Sequence, residues 1–229
     1  MAWIRYLLYL SLITLITATL TRLEIAYPGS LRLQVFTGVT DALGTSEFSP
    51  LEMIQPLVLI VCGLLMGGVA MNYVSQRPVA FAFGGLALAF TILELDFFID
   101  RYLINNLWQV LVGVAGALVI AYTYRQRKRL NIALGRLWPS PALALLFAGT
   151  VTIFGFVPLV GHEQLWQAIM GDNYQRIVTV AIEEFIELLG YLLWLVGSIE
   201  YTFQVRSMSV AGPQPAAVKR RQTQRKPRP

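Results

Sequence analysis

Glu183, Glu184 and Glu187 stand inside one long apolar stretch near the end of this chain, and Glu94, Asp96 and Asp100 lie in another. A carboxylate at bilayer depth costs about 2.5–3.5 kcal/mol on insertion scales unless it is paired, protonated or wetted by a cavity. Residues of this type, so placed, fit three kinds of chemistry. Carboxylate oxygens suit hard cations such as Mg²⁺, Ca²⁺ or Mn²⁺. Intramembrane carboxylates also recur in proton relays. A metal held by carboxylates activates water in hydrolytic enzymes. The single histidine, His162, stands near the same end and is the one nitrogen ligand on offer. A structural account competes with all three, in which Arg101 and Arg176 neutralise the acids; Glu94 and Arg101 share a helical face, seven residues apart.

The elements that position these groups follow from composition. The chain has 229 residues, of which 56% are hydrophobic and 14% charged, with mean hydropathy +0.59. An ordinary soluble domain is about 45–50% apolar and about 25% charged, so the deviation indicates a membrane protein whose main partner is the lipid bilayer. A span needs about 20 mostly apolar residues. Six stretches qualify, at 3–20, 50–73, 78–99, 103–124, 141–160 and 177–204, and the fold class they predict is an all-α, six-transmembrane-helix bundle over 1–206. Ser49-Pro50-Leu51-Glu52 combines a cap, a first-turn proline and a capping-box glutamate. Ser140-Pro141 repeats that entry, Pro78 opens the third span, and Pro158 should kink or end the fifth. Stretch 3–20 lacks a convincing cleavage site and reads as an uncleaved first helix. Cys62 has no cysteine to pair with, and no phosphate-binding glycine loop, nucleophile elbow or H-E-x-x-H is present. No nucleic-acid partner is expected.

Charge sets the orientation. Arg125, Arg127, Lys128, Arg129 and Arg136 crowd the loop 124–139, and Arg206, Lys219, Arg220, Arg221, Arg225, Lys226 and Arg228 follow the last span, with no acid in either region. With six spans both regions share a side with Arg5 and Arg77, and the positive-inside rule makes that side cytoplasmic, with both termini there. All acids except Glu200 fall toward the other side, an asymmetry that the rule does not demand. Of the connections, 21–49 is a long outer loop and 161–176 has the spacing of a short interfacial helix. The tail 207–229 has a disordered composition and a charge suited to anionic lipid headgroups.

On a wheel of about 100° per residue, Arg176, Thr179, Glu183, Glu184, Glu187, Gly190, Tyr191, Trp194, Gly197, Ser198 and Tyr201 share one sector of the last span. Ile182, Phe185, Leu188, Leu189, Leu192, Val196 and Ile199 occupy the opposite sector, which is expected to face lipid while the polar sector turns inward. Glu94 shares a face with Ala80, Gly84, Ala87 and Thr91, small residues that allow close helix approach. The third and last spans run in opposite directions, so Glu94 and 183–187 reach similar depth. If they converge, at least one carboxylate carries a proton or a cation sits among them. Glu94, Glu183 and Glu187 form the leading cation- or proton-binding set, with Glu184 and Asp96 beside them. As a metal site the set is Glu94, Glu183, Glu187 and His162, with a divalent cation as cofactor.

Glu94-Leu95-Asp96, Glu183-Glu184-Phe185-Ile186-Glu187-Leu188-Leu189-Gly190-Tyr191 and Gly197-Ser198-Ile199-Glu200-Tyr201 resemble signatures of a family of uncharacterised polytopic bacterial membrane proteins. The resemblance covers most of the membrane region. It implies a multi-pass location in the bacterial plasma membrane and no assigned activity. Ceramidase-like membrane hydrolases use several histidines with an aspartate and a serine around zinc, and the single histidine here removes that set. Transport or ion handling is the leading expectation. A metal-dependent enzyme acting on a lipid-like substrate and a non-catalytic scaffold or assembly subunit are the alternatives.

Overall fold

The structure, a computed structural model, describes residues 2–32 and 49–210. In chain order the helices are α1 (Ala2–Ala26), α2 (Pro50–Asn72), α3 (Arg77–Glu94), α4 (Asp96–Tyr102), α5 (Leu107–Arg125), α6 (Arg127–Leu137), α7 (Pro141–Val151), α8 (Val157–Val160), α9 (Glu163–Met170) and α10 (Arg176–Val210), and no strand occurs among the described residues. Among the described residues five stretches are long and apolar enough to cross a membrane: α1, α2, α3, α5 and the run from α7 to α8. The final helix, which carries Glu183, Glu184, Glu187 and Glu200, is not one of the five. Most of the connection 21–49, with Asp41 and Glu47, and the tail from 211 onward lie outside the described residues.

Local chemistry accounts for the helix starts. Ser49 Oγ accepts from the Glu52 N–H at 3.1 Å while Glu52 Oε2 accepts from the Ser49 N–H at 3.3 Å, closing the capping box, with Pro50 in the first turn. Ser140 Oγ accepts from the Leu143 N–H at 3.3 Å ahead of Pro141. The turn after α1 closes on Glu24, which accepts from the N–H groups of Gly29 (2.7 Å) and Leu31 (2.8 Å); Gly29 has φ 90°, a conformation that glycine adopts without a Cβ clash.

Packing centres on α2, α3, α7 and α10. The last helix lies between α2 and α7, α3 packs along α2, and α5 packs along the outside of α3. Phe83, Phe90, Phe147, Phe154, Tyr191 and Trp194 close the space between α3, α7 and α10 with mostly edge-on ring contacts. Where α7 meets α10, glycines bring the backbones together: a Cβ on Gly149 would lie 2.8 Å from the Gly190 carbonyl oxygen. Trp194 Nε1 ties the two helices by donating to the Leu146 carbonyl (3.0 Å) and Thr150 Oγ1 (3.1 Å). Outward, α1 and α5 present exposed Leu7, Leu8, Leu10, Leu15, Val110, Val114, Leu118 and Ile120. A surface this apolar is compatible with contact to lipid tails and unsuited to water.

Several expectations need correction. The lipid-facing sector assigned to the last span is wrong at three positions, because Leu188, Leu192 and Val196 are fully buried. The helix is central and flanked on two sides, so its aliphatic face meets protein as well. The small-residue face of α3 packs on α2 rather than on α10, and a Cβ on Gly84 would lie 3.0 Å from Met66 Cβ. The third span is not continuous to residue 99: α3 stops at Glu94, Leu95 departs from helical geometry (φ −103°, ψ 14°), and α4 restarts at Asp96. The basic stretch 124–139 is mostly the helix α6, not a loop. A π-helical segment (Thr152–Phe156) precedes Pro158, and the helix ends soon after it at Val160. The last helix runs on through residues 207–210, the start of the stretch assigned to disorder. The short helix anticipated within 161–176 is present as α9, with Leu165 and Ile169 exposed.

Candidate proton-sharing carboxylate site

The break at Leu95 ends α3 on Glu94 and aims its carboxylate at the last helix. Tyr191 Oη lies 2.7 Å from Glu94 Oε1 and 2.8 Å from Glu187 Oε1. Glu187 and Tyr191 are four residues apart and therefore stacked on one face of α10. The tyrosine is fully buried, its ring set against Phe90. One turn further out, Gln55 Nε2 donates to Glu184 Oε2 at 3.0 Å and reaches the Glu184 carbonyl oxygen at 3.3 Å. Gln55 is itself completely buried. Glu52, Glu94, Asp96, Glu184 and Glu187 line one cavity of about 270 Å³, floored by Met53, Pro56, Leu93 and Phe97.

Hydrogen-bond arithmetic constrains protonation here. A phenol has one hydrogen to donate, whereas an ionised carboxylate only accepts. Tyr191 can therefore make one linear bond, to Glu94 or to Glu187, or divide its single hydrogen between them. Two full-strength bonds form together when the second carboxyl is protonated and donates to the phenol oxygen. The geometry is compatible with one proton shared among the three side chains. No lysine or arginine forms an ion pair with Glu94, Glu184 or Glu187 among the described residues.

The opposite end of the last helix is wired differently. Glu200, buried at 5% exposure, receives Arg5 Nη2 at 3.1 Å and the Tyr9 hydroxyl at 3.0 Å. This acid is charge-paired, and the pair pins α1 to α10. Tyr201 donates to the side-chain oxygen of Gln76 at 3.3 Å, in the turn between α2 and α3. Glu187 and Glu200 are thirteen residues apart, about 20 Å along a helix, so the unpaired and the paired acids sit toward opposite ends.

The residues singled out from sequence separate into two groups. Glu94, Asp96, Glu184 and Glu187 come together on the cavity. Glu183 does not line it; its carboxyl packs where a side chain on Gly161 would stand, with Oε1 2.5 Å from the position of a Cβ there. His162 is exposed ahead of α9 and lines none of this cavity. Among the described residues no group of three or more His, Cys, Asp or Glu is arranged to hold a metal ion, so the proposed ligand set of Glu94, Glu183, Glu187 and His162 is not brought together. Asp100 accepts from the Asn106 N–H at 2.7 Å and serves the turn into α5. The arginines thought to neutralise the cluster do other things: Arg176 pairs with Glu163 at 3.5 Å, and Arg101 is exposed.

Sequence reasoning missed Gln55 and gave Tyr191 no role beyond its place on the polar sector of the last span. The signal for Gln55 was available, since an amide in the second turn of the apolar helix α2 must find a polar partner if that turn is buried. No protein-family model matches the chain, and no curated protein or solved structure matches it.

Proposed function

We propose that the protein is a six-span membrane protein of the transport or ion-handling class, in which Glu94, Tyr191 and Glu187 bind and pass protons on the non-cytoplasmic side. Glu184 and Asp96 share the cavity and add to its negative charge. The observation that carries this reading is the single phenol hydroxyl set between two carboxylates from different helices, because a proton shared between the acids completes both bonds. The same geometry favours protons over a divalent cation, which would need the acids to converge on one point rather than on a tyrosine.

The six-span count rests on packing. The last helix is held between α2 and α7, and a helix packed against two spanning neighbours must share their depth. Its 35 residues correspond to about 52 Å, more than enough for a hydrocarbon core of about 30 Å. The basic residues of α6, the turn at Arg77, Arg5 and Arg206 lie at the ends of helices that face the Glu200 side, which makes that side cytoplasmic by the positive-inside rule. The carboxylate cavity then opens outward, and the setting is a bacterial plasma membrane.

The test is proton flux in liposomes of reconstituted protein, followed with an internal pH dye. Wild-type protein should dissipate an imposed pH gradient, and Glu187→Gln and Glu94→Gln should reduce the rate by roughly a hundredfold, the order by which a positioned proton carrier accelerates transfer. Equal rates in wild type and both variants would remove the reading. A divalent metal retained through purification by wild type and lost in Glu187→Gln would move it from protons to a cation.

A further inference from the structure

The helix α6 supplies a surface that the carboxylate site does not use. It is amphipathic and firmly seated: Ala133 and Leu137 are buried, Leu130 and Leu134 pack partly into the same core, and the helix lies against α3 and α5. Its other face is exposed and carries Lys128, Arg129 and Arg136, with Arg127 at its start, and it carries no acid. Arg129, Ile132 and Arg136 fall on one stripe by helical spacing, and Ile132 is 57% exposed between the two arginines. Tyr124 and Trp138 are exposed beside the two ends of the helix, and the Arg127 guanidinium stacks 4.7 Å from the Tyr124 ring centre.

We propose that the outer face of α6 is a binding surface for the phosphate headgroups of anionic phospholipids. Three features select this occupant over an acidic protein or nucleic acid. The helix is joined to α5, an apolar helix whose exposed flank is suited to lipid tails, so the basic face begins at the edge of the bilayer. An exposed isoleucine between arginines fits a surface with acyl chains below and phosphates above, where arginine stems lie along the boundary and their guanidinium groups reach the phosphates. Tyrosine and tryptophan at the two ends are the residues enriched at headgroup level. Charge complementarity is then one-sided, four cations against an anionic leaflet, and because α6 is docked on the core its side chains are already presented in a fixed row.

The experiment uses full-length protein in nanodiscs of mixed phosphatidylglycerol and phosphatidylcholine, with native mass spectrometry counting the lipids retained after partial delipidation. Wild-type protein should retain phosphatidylglycerol selectively. The double substitution Arg129→Gln with Arg136→Gln should weaken that retention by roughly 25-fold, at about fivefold for each surface charge near an anionic leaflet. The charge-preserving pair Arg129→Lys with Arg136→Lys should keep most of it, which separates loss of charge from loss of fold, and thermal unfolding should be alike in all three. Unselective retention by wild type, or retention unaffected by the glutamine pair, overturns the proposal. So does selectivity that disappears when only Lys219, Arg220 and Arg221 of the tail are neutralised, or co-purifying nucleic acid that occupies the same arginines.

Discussion

A single oxygen, Tyr191 Oη, organises the acidic end of this protein. Tyr191→Phe keeps the ring and its contact with Phe90 but leaves Glu94 and Glu187 facing each other without a bridge. The expected result is a loss of about 1–3 kcal/mol, the penalty for stranding buried polar groups, measured by thermal unfolding in detergent, together with a fall in proton flux. Gln55→Leu isolates Glu184 in the same way, and a stability loss in that range is expected there too. At the far end Arg5→Ala should cost less than the 3–5 kcal/mol of a fully buried pair, because Arg5 is 38% exposed and Tyr9 still donates to Glu200. The acids themselves were legible in the sequence, since charges inside apolar runs stand out. Their partners were less so. A tyrosine or glutamine looks the same whether it packs or bridges, and only the fold shows that Tyr191 stands between acids from two different helices.

At the scale of elements, caps were readable and breaks were not. Ser49-Pro50-Leu51-Glu52 and Ser140-Pro141 each name a helix start through side-chain oxygens and a proline with no donor to lose. The break at Leu95 has no glycine or proline to announce it, yet it is what turns Glu94 toward Tyr191. The basic segment that became α6 was hidden by its charges, although Leu130, Ala133, Leu134 and Leu137 already carried the helical period. The wheel of the last helix identified its polar face correctly and misjudged the opposite face, because a central helix buries both. The α7–α10 contact yields a prediction of its own. Gly149→Ala places a methyl against the Gly190 carbonyl, so the helices must separate. Overpacking of this kind costs about 1–3 kcal/mol, and Trp194 should lose its shielded fluorescence as its hydrogen bonds to Leu146 and Thr150 lengthen.

The whole molecule is polarised along its helices. One end pairs its buried acid with Arg5 and gathers the exposed cations of α6; the other gathers five carboxylates around a cavity, with Tyr191 bonded to Glu94 and Glu187 and Gln55 to Glu184. The central claim is that the Glu94–Tyr191–Glu187 trio holds a shared proton at neutral pH. Infrared spectroscopy of the purified protein measures it directly, through the carbonyl stretch that a protonated carboxyl shows and a carboxylate lacks. At pH 7 wild-type protein should display that band, and it should lose intensity in the Glu94→Gln, Glu187→Gln double variant. A wild-type spectrum without the band at pH 7 would mean that both acids are ionised, and the shared-proton account would be wrong.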